Sequence, residues 1–495
     1  MELRLLFKNS VYLISSRIIK YAFNFIRVKL IAIYFGTLGT GIFAQLTQIT
    51  QSMSQFTLLG MNDGIVKEIA ERDHKEQVFK QILVSSLKSY IVMISIVLFI
   101  VLSLSFYFSK ELTIYFLGDI KYYNYFIIGL ISFPILVINS ISFAILKSFK
   151  QIKYIAHSEI IGAVLNILFF ILLIYSFGLT GIVIYVTVAL VTVLIANHFY
   201  ARIKVLIHLD ISIHDIIKAK ISKKSIRELF IFAGFGLTAG LALIITDTFT
   251  RSIVVTKLGI TKIGIYSPIL NFSTLFTGLI IPSLSTYLYP RYCETKTDLE
   301  LIHIINDSLR FVTLLMIPFI LLSIPIRFQL ISLFYSRDFS IAGKYLQWHF
   351  LGMIFYMWMY VFWQSMMPTG RIKTEGVVVL IMCIIDVAIV YTLVPQIGLY
   401  GLMLKYIISP ILFFFFYIFY YKSQIKFKIK KENLLIMGYI LLSFLLIISI
   451  EKYITSNYII DFIVGLILTL LSFLILSKSE KKFVINNIKR ITIKS

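Results

Sequence analysis

Cysteine is nearly absent. Cys293 and Cys383 are the only two in 495 residues, so no disulfide framework is available. No CxxC pair occurs and the seven His are scattered, which leaves a metal ion without a ligand set. Acids are also scarce, with 24 Asp and Glu against 47 Lys and Arg. The sequence holds no pair of catalytic carboxylates, no nucleophile motif and no phosphate-cradling loop, which argues against ATP hydrolysis by this chain and against an enzyme generally. What it holds in abundance is apolar residue: 59% of the chain is hydrophobic, only 14% is charged, and mean hydropathy is +0.91.

The apolar residues come in long blocks, such as RELFIFAGFGLTAGLALIITDTFTRSIVV, without the polar stripe that a water-soluble helix shows every turn. This is the pattern of an all-α integral membrane protein. Fourteen spans are expected, at about 11–35, 38–61, 81–108, 124–146, 154–176, 180–200, 230–255, 264–289, 308–325, 344–367, 376–395, 398–421, 433–450 and 458–477. The first has no small-residue cleavage site and reads as a retained helix. Lys and Arg favour the two termini and the even-numbered connections by about four to one, which predicts that both termini lie in the cytoplasm. The net charge of +23 is therefore a matter of orientation and anionic lipid, and nucleic acid is not an expected partner. Outer connections are short; the longest, about 326–343, contains the amphipathic IRFQLISLFYSRDFS.

The two halves echo one another. FGTLGTGIFAQ (35–45) matches LGITKIGIYSP (258–268), and FGLTGIVIY (177–185) matches IGLYGLMLK (397–405). Between them ELTIYFLGD (111–119) echoes QLISLFYSR (329–337), and QIK (151–153) echoes RIK (371–373). The offsets are 223, 220, 218 and 220, so four matches keep order and spacing, as a duplication would. Each repeat holds six spans, and an even number gives both the same topology. The expected organisation is an N-lobe (1–205), a cytoplasmic hinge loop (206–229), a C-lobe (230–422), and two further helices with a basic tail (423–495). Two such bundles around a central cavity, rocking to open it to each side in turn, make a transporter.

Charge inside a span is costly and marks a cavity or a partner. The stretch SSRIIKYAFNFIRVKLIAIYFG carries Arg17, Lys20 and Arg27, which with Asn24 fall within a stripe of about 80° on one helix. No acid on that helix neutralises them, so the stripe is the candidate site for an anionic group. Snorkelling cations and helix-to-helix hydrogen bonds are the structural alternative. Gln45, Gln48, Gln51 and Gln55 share one broad face of the second span and suit either sugar hydroxyls or interhelical bonds. In the second repeat Asp247 aligns with Asn24, and Arg251 stands one turn further on; cavity lining and a self-satisfied ion pair are both open for this pair.

These residues resemble a known family. IYFGTLGTGIFAQLTQI followed by LLGMNDGIVKEIAE, then GIYSPILNFSTLF with YLYPRY, QSMMPTGRIKTEG and the GLTG/GLYG pair, are similar to bacterial polysaccharide repeat-unit flippases. Those belong to the multidrug, oligosaccharidyl-lipid and polysaccharide exporter superfamily. The resemblance covers residues 8–422 and implies a MATE-like fold in the bacterial cytoplasmic membrane. It implies a substrate too: an undecaprenyl-diphosphate-linked oligosaccharide, moved outward by alternating access with Arg17, Lys20 and Arg27 in the cavity. The second span lacks the arginine of the lipid II branch, which points to capsule, O-antigen or other exopolysaccharide units. A polymerase and glycosyltransferases are candidate partners. No cofactor is expected, and the energy source, a coupling ion or the membrane potential, stays open. Two other functions compete. A drug or cation antiporter of the same superfamily would want unpaired acids where this stripe is basic. A membrane enzyme such as a repeat-unit polymerase would want a sizeable outer loop.

Overall fold

The computed structural model describes residues 2–70, 79–453 and 457–476; the side chains of 2–18, 232–239, 279, 283, 286 and 287 lie outside the description. Its described residues form helices joined by short turns, with no strand among them. In chain order these are α1 (Glu2–Leu58), α2 (Met61–Ala70), α3 (Phe79–Tyr107), α4 (Ser109–Leu117), α5 (Tyr123–Leu130) and α6 (Ser132–Ser148). There follow α7 (Ile152–Ala201), α8 (Ile213–Lys218), α9 (Lys223–Leu258), α10 (Ile260–Glu294), α11 (Asp298–Ser323) and α12 (Arg327–Phe334). The chain closes with α13 (Ala342–Met366), α14 (Ile372–Ile397), α15 (Leu399–Ile425), α16 (Lys431–Tyr453) and α17 (Tyr458–Leu471).

Ten of the described helical stretches are long and apolar enough to cross a membrane. Two of them are double. α1 is broken at Gly36 (φ 58°) and α7 at Gly178 (φ 55°). A Cβ on Gly181 would stand 2.1 Å from the carbonyl oxygen of Leu173, eight residues earlier. Along an unbroken helix eight residues span about 12 Å, so the chain must fold back at the glycine. α9 and α13 add 36 and 25 residues, enough for about 30 Å of hydrocarbon. With α1 and α7 counted twice and α9 and α13 counted by length, the described stretches long enough to span number fourteen, as many as expected.

The repeat is written in the backbone. Gly398 (φ 64°) stands where Gly178 does, and a Cβ on Gly401 would lie 2.6 Å from the backbone of Leu393, as Gly181 does on Leu173. At the close of α6, Lys150 takes φ 55° while the amide of Gln151 donates to Leu146 and that of Lys150 to Lys147. After α13, Gly370 takes φ 77°, Arg371 donates to Met366 and Gly370 to Met367. These are the same helix stop, 220 residues apart. The short helices α4 and α12 also correspond, 218 residues apart.

The chain packs as two compact units. One comprises Met1–Pro268, Phe334–Asp338 and Gly376–Gly401; the other comprises Ile269–Leu333, Phe339–Glu375 and Leu402–Ser495. In the first, Ile31 of α1 packs with Phe170, Leu173, Ile182 and Tyr185 of α7, and a larger core runs through α1, α3 and α6. A reciprocal contact ties its two repeat fragments. A Cβ on Gly41 would strike the carbonyl oxygen of Ile260 at 2.3 Å, and one on Gly264 would strike that of Thr37 at 2.0 Å. Thr37 and Ile260 are themselves equivalent by the offset of 223, so this contact has two-fold character.

In the second unit, α11 and α16 are fastened by polar residues. Asn433 donates to the backbone oxygen of Asn306 at 2.7 Å, and Asn306 donates to Lys428 at 3.1 Å. Arg327, buried at the head of α12, donates to Glu451 of α16 at 2.6 Å and to two backbone carbonyls. The buried guanidinium is thus fully compensated.

The segment 206–229 is expected to be a loop, yet more than half of it is helical. α7 runs on into a turn at Arg202–Leu206, and α8 follows with a capping box between Ser212 and Asp215. The Ser212 backbone amide and hydroxyl hold the Asp215 carboxyl below its ordinary range. The tail beyond residue 476 lies outside the described residues.

Candidate functional site

The stripe of α1 faces α7. Ile26, Ile33 and Tyr34 are exposed on the outer side of α1, while Val28, Ile31 and Ala32 are buried. Asn24 and Arg27 fall between these faces, as a helical period requires. Lys20 reaches Glu159, on the first half of α7, at 3.2 Å. Its side chain is 60% exposed and that of Glu159 25%, so the pair is solvated and contributes at most about 1 kcal/mol. A partner of higher charge could displace either group at little cost. The side chain of Arg17 lies outside the described residues.

Arg27 is held differently. Its Nη1 donates to the Tyr185 hydroxyl at 2.8 Å, and its Nη2 donates to Asn24 Oδ1. The guanidinium lies 4.8 Å from the centre of the Phe43 ring and 5.4 Å from that of Tyr185. Two aromatic faces and two neutral acceptors orient the group, and each cation–π contact contributes about 0.5–2 kcal/mol. Nothing cancels its charge: among the described residues no carboxylate pairs with Arg27, and its buried Nε has no hydrogen-bond partner. Arg27 is thus a fixed guanidinium with one donor unspent among the described residues.

The second repeat answers with the opposite electrostatics. Asp247 Oδ2 accepts from Arg251 Nε at 3.2 Å on α9. Both repeats therefore set an arginine against an acceptor about one turn earlier. In α9 the acceptor is a carboxylate and the charge is cancelled; in α1 it is an amide and the charge survives.

The glutamines of the second span divide in two. Gln45 is buried and donates to the carbonyl of Phe116 at 2.7 Å. Gln48 donates to Ser52 at 3.1 Å, and Ser52 lies 3.1 Å from Thr248 of α9. Gln45 thus ties α1 to α4, and Gln48 bonds within α1 to the serine that meets α9. Gln51 and Gln55 are exposed and open on a cleft of about 240 Å³ with Asn62, Asn139, Ser140 and Phe143. Sequence reasoning missed Tyr185, Phe43 and Glu159. Phe43 lies beyond the break in α1 and the other two on α7, and a one-dimensional pattern carries no signal for contacts 16 to 158 residues apart.

Comparison with known proteins gives this geometry a setting. The chain resembles the lipid II flippase MurJ in its inward closed conformation, at 19% identity over 94% of this chain and 97% of that one, with a TM-score of 0.72. It also resembles an inward-facing multidrug resistance MATE transporter, at 14% identity over 81% and 98%, with a TM-score of 0.64. A transporter of the same superfamily from Pyrococcus furiosus matches at 14% identity over 83% and 93%, with a TM-score of 0.56. At such identities the likeness is one of fold. No curated protein matches the sequence. The family described as polysaccharide biosynthesis protein matches residues 6–296, more than half of the chain. This chain is a multi-span membrane protein of the polysaccharide biosynthesis protein family, with the fold of the multidrug, oligosaccharidyl-lipid and polysaccharide transporters.

Proposed function

We propose that this protein is a flippase that carries undecaprenyl-diphosphate-linked oligosaccharide units from the cytoplasmic to the outer leaflet of the bacterial cytoplasmic membrane. The units serve capsule, O-antigen or other exopolysaccharide assembly. A diphosphate cannot enter hydrocarbon with its charge unpaired, because the desolvation cost is far too high. Arg17, Lys20, Asn24 and Arg27 form the cradle that replaces its water. Arg27 contributes a fixed guanidinium able to meet two phosphate oxygens at once, and Lys20 exchanges Glu159 for phosphate. The Asp247–Arg251 pair, already neutral, stands outside this cradle. The polyprenyl tail stays in lipid. The halves 1–205 and 230–422 move against each other about the segment between them, and both termini remain in the cytoplasm.

One observation carries the reading: Arg27 is a positioned cation without a counter-ion among the described residues. A cation antiporter would place uncompensated acid there. Replacing Arg17, Lys20 and Arg27 together by Ala is expected to abolish surface polysaccharide while membrane insertion, followed by immunoblot of the membrane fraction, is retained. Undiminished polysaccharide from an inserted triple variant would refute the proposal.

A further inference from the structure

The cleft below Gln51 and Gln55 lies within the first compact unit, where α1, α2 and α6 meet, and its lining has a distinct chemistry. Asn62 comes from α2; Asn139, Ser140 and Phe143 come from α6. None of the residues lining it is charged. The nearest charges in sequence are Asp63, beside Asn62, and Lys147, one turn past Phe143; they bond to each other at 2.9 Å. A diphosphate finds no cation here, and an acidic sugar or the carboxylates of a peptide stem fare no better. Leu58, Leu136 and Phe143 make much of the wall apolar, but a polyprenyl chain seated here would take water from four amide side chains and two serines and offer them no partner.

The amides are held in place from behind. Tyr90, buried in α3, donates its hydroxyl to Asn62 Oδ1 and lies 3.2 Å from Ser140 Oγ. Asn197 of α7 donates to Asn139 Oδ1 at 2.9 Å and itself accepts from Ser158. Each asparagine thus spends its oxygen on a fixed donor, and its Nδ2, with no protein partner among the described residues, is left to the cleft. Two oriented N–H donors, two exposed glutamines and an exposed phenylalanine surround the same space. Oriented donors select ligand oxygens, and a flat ring accepts the apolar face of a pyranose. Water can satisfy these donors, and an occupant rich in hydroxyl or acetamido oxygens replaces it on donors whose direction is already fixed.

We infer that this cleft is a glycan subsite which takes an uncharged sugar of the translocated unit, with Asn62 and Asn139 as its hydrogen-bond donors and Phe143 as its stacking wall. The inference rests on the flippase reading above and deepens it: α1 holds the diphosphate, and this cleft reads the sugar.

The test uses the full-length protein in lipid nanodiscs and two probes, undecaprenyl diphosphate and undecaprenyl-diphosphate-N-acetylglucosamine. The sugar-bearing lipid is expected to bind at least about ten-fold tighter, since each hydrogen bond to the sugar contributes about five-fold. Asn139→Leu with Asn62→Leu removes that advantage and leaves the affinity for bare diphosphate unchanged. Phe143→Ala and Gln55→Leu, both at exposed positions that fold without consequence, each remove part of it. Equal affinity of the wild-type protein for the two lipids, or variants that weaken both lipids alike, would overturn the subsite while leaving the diphosphate cradle standing. Failure of both lipids to bind would defeat the flippase reading, and the subsite with it.

Discussion

At the scale of single residues, the chemistry turns on what stands beside each cation. Lys20 and Arg27 were legible as a pair on one face because helical period alone sets that. Their partners were not, since Glu159 and Tyr185 come from α7, 139 and 158 residues away. The absence of acid on the first span holds for that helix, but the fold brings Glu159 across to Lys20. This pair has a testable role. If it is an exchangeable placeholder, Glu159→Gln removes a competitor of the incoming anion, and affinity for undecaprenyl diphosphate rises about two- to five-fold, in line with the weakness of solvated pairs. A fall in affinity would instead make Glu159 a positioning residue for Lys20. Gln45 and Gln48 teach a related lesson. Spacing placed four glutamines on one broad face, but only packing decides which of them fasten helices and which open on the cleft.

At the scale of elements, apolar length and glycine punctuation made most of the architecture readable. Both folded-back helices turn at glycines that the repeat had already paired, Gly36 with Gly259 and Gly178 with Gly398, because a positive φ with ψ of −151° or −129° is open to glycine alone. Helix ends were less readable. α11 begins at Asp298, ten residues before the apolar run, because Thr297 caps it outside any hydrophobic signal. Residues 213–218 form α8 through a capping box that hydropathy cannot register. The glycines themselves differ in what they permit. Gly41→Ala drives a Cβ to 2.3 Å from the Ile260 carbonyl, a backbone atom unable to yield, and a loss of about 3 kcal/mol or more is expected. Gly370→Lys meets nothing within 4 Å and places there the residue its equivalent already holds, Lys150, so about 1–2 kcal/mol is expected. Thermal unfolding in detergent should lower the midpoint clearly more for Gly41→Ala; the reverse order would contradict the close approach of α1 and α10.

At the scale of the whole molecule, the duplication has produced two similar backbones with different electrostatics. The first repeat matches Asn24 to Arg27 and keeps a positive charge; the second matches Asp247 to Arg251 and loses it. The acceptors are aligned, and their difference was visible in the sequence as the pairing of Asn24 with Asp247; the arginines are not, since the same offset carries Arg27 to Thr250, one residue before Arg251. The consequence of that difference was not visible, because the sequence does not say whether Arg251 is paired. The account makes this asymmetry the origin of anion selectivity. The most direct measurement is translocation of a fluorescent undecaprenyl-diphosphate-linked sugar by purified protein in vesicles, comparing wild type with Asn24→Asp. The substitution nearly preserves shape and the contact with Arg27 but supplies the missing counter-ion. The account predicts that translocation falls at least ten-fold while folding is unchanged; transport at the wild-type rate would show that the free charge of Arg27 is not what holds the substrate.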